Sequence, residues 1–263
     1  MGFIKPAIQQ MNLFYRQMGE GQPIIILHGI FGSCDNWLTM SKSIAEKGYV
    51  VYAIDQRNHG RSPQSEAFDY ESMATDLMEF IDTHSILKPI LIGHSMGGKT
   101  VMNFAMQYPD TYSKLVIVDM ATKFYAVHQT EILRGLAAID LQHLANRNEA
   151  DEILSGYEPN LGIRQFLLKN LYRNETGQFD WRLNLPVISK NIALVGNAVP
   201  ALRTITEPTL FMRGQKSNYV LDEDMIDILK LFPNAVFDTI EGAGHWVQAE
   251  QPDGFLRSLI RFL

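Results

Sequence analysis

Cysteine is nearly absent from this 263-residue chain. The single one, Cys34, excludes an internal disulfide framework and fits a reducing compartment. A surplus of basic charge is also missing. With 23 Lys and Arg against 29 Asp and Glu, a formal charge of −6, no basic field exists for nucleic-acid phosphates or anionic membrane surfaces. Neither nucleic acid nor membrane is an expected partner. No apolar run approaches the roughly 20 residues needed to cross a bilayer, and the longest strongly apolar stretch is PIIILHGIF from Pro23. The N-terminus shows no basic segment followed by an apolar core. Gly2 stands where a myristoylation acceptor would, but Pro6 occupies the position that wants Ser or Thr. A cytoplasmic protein is the expectation.

Apolar residues are plentiful: 46% of the chain is hydrophobic and 20% charged, enough for a sizeable core in one domain, with no internal repeat or low-complexity tract. Short runs rich in Ile and Val occur at Ile24 to Leu27, Val50 to Ile54, Ile90 to Ile92, Leu115 to Val118 and Leu210 to Met212, with a weaker one at Val236 to Ile240. Such runs suit strands buried on both faces. Helical stripes lie between them. Met73, Leu77, Phe80 and Ile81 share one helical face, and Phe255, Leu256, Leu259, Ile260 and Leu263 share another on a helix starting at Pro252. The alternation predicts an α/β fold with a mostly parallel central sheet and helices on both faces. It breaks between residues 121 and 206. Helical patterning, Asn-rich turns such as NRNEAD, and aromatics including Phe124, Tyr125, Phe166 and Trp181 predict a helical cap inserted into a core of residues 1–120 and 207–263.

LIGHSMGGKT, residues 91–100, fits two chemistries. From Gly93 it reads as a phosphate loop ending in Lys99 and Thr100, and around Ser95 as G-x-S-x-G, a nucleophile elbow. LVIVD, ending at Asp119, supports the first reading, because a strand-terminal Asp holds Mg²⁺ beside such loops. That NTPase reading leaves HGIFGS at His28 to Ser33 and GAGH at Gly242 to His245 without a role. Acyl transfer uses both. It needs a nucleophile, a base, an acid to orient the base, and donors for the oxyanion. Ser95 is the nucleophile candidate, and the N–H of Met96 one donor. The second donor belongs in the loop after IIIL, where Ile30 is the choice and Phe31 the runner-up.

Seven histidines compete as base. His28 precedes a glycine of the oxyanion loop, and His94 adjoins the nucleophile on a sharp turn. His59 sits in a turn and His84 near a helix end, while His128 and His143 fall in the insertion. His245 alone lies in a Gly-rich loop between the last strand and the last helix, giving the chain order Ser, acid, His. For the acid, the slot after the penultimate strand, LFMRGQKSNYV, holds Ser217 and no adjacent carboxylate. Asp222 comes later and resembles a helix cap. Asp119 is favoured over Asp222, since neighbouring strand ends lie only about 5 Å apart.

HGIFGSCDNW, DQRNHGRS, GHSMGGKT, LVIVDM and GAGHWV together resemble the α/β-hydrolase superfamily, specifically the YbfF-like esterases and their mitochondrial abhydrolase relatives. The resemblance spans about residues 23 to 260 and is weakest in the insertion. It implies an α/β-hydrolase fold and a Ser95–His245–Asp119 triad, with no cofactor or metal. Lys99 then belongs to the family pattern and needs no nucleotide. The implied activity is hydrolysis of small-molecule acyl esters of short to medium chain, or of acyl thioesters. The alternatives are a ligand-binding protein on the same fold with little turnover, and the NTPase. Asp55, Arg57 and Gly60 read as fixing a surface turn, Cys34 as a buried filler, and Trp37 and Trp246 as pocket or core residues. Oligomeric state is left open, since an apolar cap patch suits a dimer as well as a substrate.

Overall fold

A computed structural model describes residues 11–263; Gly2 and Pro6 lie outside the described residues. Seven strands form the main sheet: β1 (Tyr15–Met18), β2 (Gln22–Leu27), β3 (Tyr49–Ile54), β4 (Ile90–His94), β5 (Lys114–Val118), β8 (Thr209–Gly214) and β9 (Ala235–Ile240). Their order is β1-β3-β2-β4-β5-β8-β9, with β1 antiparallel to β3 and every other pair parallel. Each of the six apolar runs becomes a strand. Consecutive residues of β2 face opposite ways because side chains alternate along a strand. Ile25 and Leu27 join one core layer, with Leu91, Ile117 and Phe211, while Ile24 and Ile26 join another, with Ile92, Val118 and Met212. Burial on both faces explains why the runs are uninterrupted. Each such Ile contributes roughly 1.5–3 kcal/mol relative to exposure.

The first layer is closed by α2 (Tyr70–Thr83), α3 (Met96–Gln107) and α8 (Asp224–Leu231), through Leu77, Phe80, Phe104 and Ile228. The second is closed by α1 (Leu38–Ala45) and α10 (Pro252–Phe262), through Ile44, Phe255 and Leu259. A short helix, α9 (Val247–Glu250), precedes α10. The chain passes from β2 to β3 on one side and then to β4 on the other. This reversal opens a crevice beyond the C-terminal ends of β2 and β4, the place where open α/β sheets bind ligands.

Between β5 and β8 the chain leaves the main sheet and forms α4 (Thr130–Ala138), α5 (Arg147–Ser155), α6 (Leu161–Leu168), β6 (Leu171–Arg173), β7 (Phe179–Trp181) and α7 (Leu185–Val195). The Asn-rich turns cap helices. Asn146 accepts from the N–H groups of Asn148 and Glu149 at the start of α5, and Asn160 from those of Gly162 and Ile163 at the start of α6. A purely helical insertion is not what forms: β6 and β7 pair as an antiparallel hairpin whose turn uses Gly177 at φ +81°. The insertion's apolar residues gather with Phe31, Tyr70, Met73 and Met96 of the core in a third cluster. No helix among the described residues is long and apolar enough to cross a membrane.

Candidate functional site

The turn from β4 into α3 puts Ser95 at φ 54° and ψ −117°, a strained backbone for a residue with a Cβ. Two glycines make this turn possible. A Cβ on Gly93 would lie 2.2 Å from the carbonyl oxygen of Gly97, and one on Gly97 would lie 2.3 Å from that of Leu27. The turn exposes Ser95 to a cavity of about 250 Å³ that His245, Ile30 and Tyr219 also line. Met96 begins α3, so its N–H has no intrahelical acceptor.

Asp119 follows β5 at φ 49° and is fully buried. Its Oδ2 lies 2.7 Å from His245 Nδ1 and accepts from the hydroxyl of Ser217 at 2.5 Å, and its Oδ1 accepts from the N–H of Gly214 at 3.0 Å. Three donors thus converge on one carboxylate, and Ser217 in the usual acid slot serves it rather than replacing it. Asp222 is elsewhere. It pairs with Arg213 at 2.6 Å, its side chain is 87% exposed, and the helix it was expected to cap starts after Glu223.

Three buried histidines brace the loops around Ser95. His28 Nδ1 donates to the Gly29 carbonyl at 2.8 Å while Nε2 accepts from the Gln56 N–H at 3.0 Å. His59 Nδ1 lies 2.9 Å from the Arg57 carbonyl, and Nε2 accepts from the N–H of Phe31 at 3.3 Å. His94 Nε2 lies 2.8 Å from the carbonyl of His245, tying the elbow to the loop of the last strand. Burial pulls their pKa values to about 4, 3 and 3 respectively, with a neighbouring histidine adding to the fall at His59 and His94. All three are neutral braces at pH 7. The Phe31 N–H is thus taken by His59, whereas Ile30 lines the cavity beside Ser95.

The phosphate-loop reading is overturned by the positions of its own residues. Lys99 is fully buried and donates to the carbonyls of Lys123 at 2.5 Å, Asn197 at 2.8 Å and Thr122 at 3.3 Å, while the Thr100 hydroxyl donates to Gln56 Oε1 at 2.9 Å. Asp119, read as a Mg²⁺ ligand in that scheme, is committed to His245. The DQRNHGRS turn is buried from Asp55 to His59 and reaches the surface at Arg61. Asp55 accepts from the N–H groups of Cys34 and Arg61, Arg57 grips Asp76 through two contacts of 2.6 Å, and a Cβ on Gly60 would sit 2.1 Å from Asp55. Cys34 is a buried filler whose thiol is pushed up by burial and by Asp55. Trp37 packs edge-on against Phe255 and Trp246 meets Phe166 of α6, and both tryptophans also line the cavity that Ser95 faces.

Sequence reasoning missed Tyr219. Its ring stacks on His245, and its hydroxyl lies 2.7 Å from His128 Nε2 in the segment before α4. Its position two residues beyond Ser217, in the loop searched for an acid, was the available signal.

The comparisons with known proteins agree with this architecture. A family model described as the alpha/beta hydrolase fold matches residues 22–148. Esterase YbfF of Escherichia coli is 37% identical over 93% of this chain and 94% of its own. The sn-1-specific diacylglycerol lipase ABHD11 of Xenopus laevis is 38% identical over 92% and 80%. A solved structure, a marine microorganism esterase, superposes with a TM-score of 0.94 at 41% identity, covering 96% of this chain and all of that one. With similarity of this extent over nearly its whole length, the chain belongs to the alpha/beta hydrolase fold family, among relatives that include esterase YbfF.

Proposed function

We propose that the protein is a carboxylic ester hydrolase in which Ser95 is the nucleophile, His245 the base and Asp119 the acid that orients it. The observation that carries this reading is the 2.7 Å contact between His245 Nδ1 and buried Asp119. With Nδ1–H given to the carboxylate, Nε2 is left as the basic nitrogen, in a ring that lines the same cavity as Ser95. The Ser95 hydroxyl attacks the ester carbonyl as His245 takes its proton. The N–H groups of Ile30 and Met96 receive the oxyanion, and the protonated ring releases the alcohol by giving it that proton. Water, activated by the same nitrogen, then cleaves the acyl-enzyme. Named esterases and lipases among the relatives support a small-molecule ester as substrate.

Residues 121–206 act as a cap over the α/β core. Ile132 of α4 and Ile163 and Phe166 of α6 form its apolar side of the cavity, which suits short- to medium-chain acyl groups, in thioesters as well as esters. A reducing, cytoplasmic setting fits the single buried thiol.

Hydrolysis of p-nitrophenyl acetate, butyrate and octanoate by wild type and Ser95→Ala is the test. Turnover that disappears with the hydroxyl is expected, with a preference among the three that sizes the cavity. Turnover that persists in Ser95→Ala would overturn the assignment. Tight ester binding without turnover would make the protein a binder on this fold.

A further inference from the structure

The hydrogen bond to Asp119 holds the Nδ1 edge of His245 but sets nothing against the face of its ring. A second contact fixes its plane. The Tyr219 ring lies 3.8 Å from the imidazole, centroid to centroid, at 16° from parallel. Tyr219 is itself held from several directions. Its N–H donates to Ser217 Oγ at 3.2 Å, its carbonyl accepts from the Tyr125 hydroxyl at 2.5 Å, and its own hydroxyl meets His128 Nε2 at 2.7 Å. The Tyr125 ring stacks near it at 5.4 Å and 30°. The loop after β8, which supplies no acid, therefore supplies a hydroxyl to Asp119 and an aromatic plate to His245. Tyr125 and His128 anchor that plate to the insertion.

We propose that Tyr219 is a positioning residue for His245, its ring face holding the imidazole in plane and favouring the imidazolium that forms at each proton transfer. This rests on His245 being the base. The π face of a phenol is electron-rich and attracts a cation placed over it, so the contact is stronger after proton transfer than before. The other groups facing His245 do not supply this. Asp119 meets only Nδ1, Trp246 meets the ring at 63° and 5.8 Å, and the His94 ring, 4.8 Å away at 44°, is uncharged at neutral pH.

Tyr219→Leu removes the plate, and Tyr219→Phe keeps it without the hydroxyl. Loss of the plate is expected to lower kcat on p-nitrophenyl butyrate roughly 2- to 30-fold, the range of a cation–π contact, with a smaller change in KM. It should also move the acid limb of the kcat/KM profile to lower pH. The Phe variant should keep the wild-type limb. NMR titration of the His245 ring in a Ser95→Ala background reads the same contact without turnover. The upfield ring-current displacement of its Cε1 proton and the titration midpoint should both fall in Tyr219→Leu and stay in Tyr219→Phe. If the Leu variant does not fold, Tyr219→Trp decides, because a stronger cation-binding face should raise the midpoint. A midpoint indifferent to Leu or Trp overturns the proposal. So does a Phe variant as impaired as Leu, which would assign the effect to the hydroxyl and His128. Failure of the nucleophile assignment would show separately, as ester turnover surviving Ser95→Ala.

Discussion

Asp119 sits at φ 49°, a backbone that a β-carbon disfavours, and is fully buried with three donors around its carboxylate. Strain and burial of a charge are both costs, and they persist where the surrounding structure over-determines the residue. Here the ends of β5 and β8 and the His245 loop do so together. Asp119→Asn keeps the shape but offers an amide where His245 needs an acceptor, so kcat should fall by roughly 10⁴, as for the orienting Asp of serine proteases. Asp222→Asn breaks only an exposed pair with Arg213, worth at most about 1 kcal/mol, and should leave kcat within about twofold. Steady-state kinetics on p-nitrophenyl butyrate separates the two, and the reverse ranking would move the acid to the later loop.

At the scale of elements, Lys99 joins three segments that sequence separates widely. It rises from α3 and donates to Thr122 and Lys123, where the chain leaves the main sheet for the insertion, and to Asn197, where it returns. Burial, with the Lys123 ammonium adding to it, pulls Lys99 down to about 7 from an ordinary 10.5. The unfolded chain therefore holds the proton across a pH window in which the native protein releases it. Stability from this group is fully present above pH 10.5 and is lost as pH falls to about 7. Lys99→Met orphans three carbonyls and should cost about 2–4 kcal/mol. The gap between wild type and variant should widen from pH 7 toward pH 10, at up to about 1.4 kcal/mol per unit, in guanidinium melts. A gap independent of pH would contradict the shifted lysine.

The elements themselves were legible to different degrees. Runs such as Ile24 to Leu27 were plain because both faces of those strands are buried, whereas β1, with the sequence YRQM, is a four-residue edge strand with no fully buried residue. The β6 and β7 hairpin has three residues a side, too short for alternation to register. The glycines flanking Ser95 were readable because the tight turn leaves no room for a Cβ at Gly93 or Gly97. Ser217 and Tyr219 were not, since a hydroxyl given to Asp119 and a ring laid on His245 are relations across the fold.

At the scale of the whole molecule, the same logic applies to His28, His59 and His94. Their bonds join the β2 loop to the turn after β3, and the elbow after β4 to the loop that carries His245, so the site's loops are pinned by neutral imidazoles. Below the ordinary histidine pKa of 6.5 the unfolded chain takes up three protons that the native protein, with pKa values of about 4, 3 and 3, refuses. The stability they confer is present above pH 6.5 and lost as pH falls toward those values. With up to three protons in play, each adding at most about 1.4 kcal/mol per pH unit, stability falls as the solution is acidified below pH 6.5. We therefore expect the guanidinium midpoint to drop steeply between pH 6.5 and 4.5, with cooperative acid unfolding in far-UV circular dichroism. Replacing His59 by Gln, which retains a neutral donor and acceptor but cannot charge, should flatten that slope by about a third even if it lowers stability at pH 7.5. An unchanged midpoint between pH 6.5 and 5 would mean that these rings can accept protons inside the folded protein, and that burial does not keep them neutral.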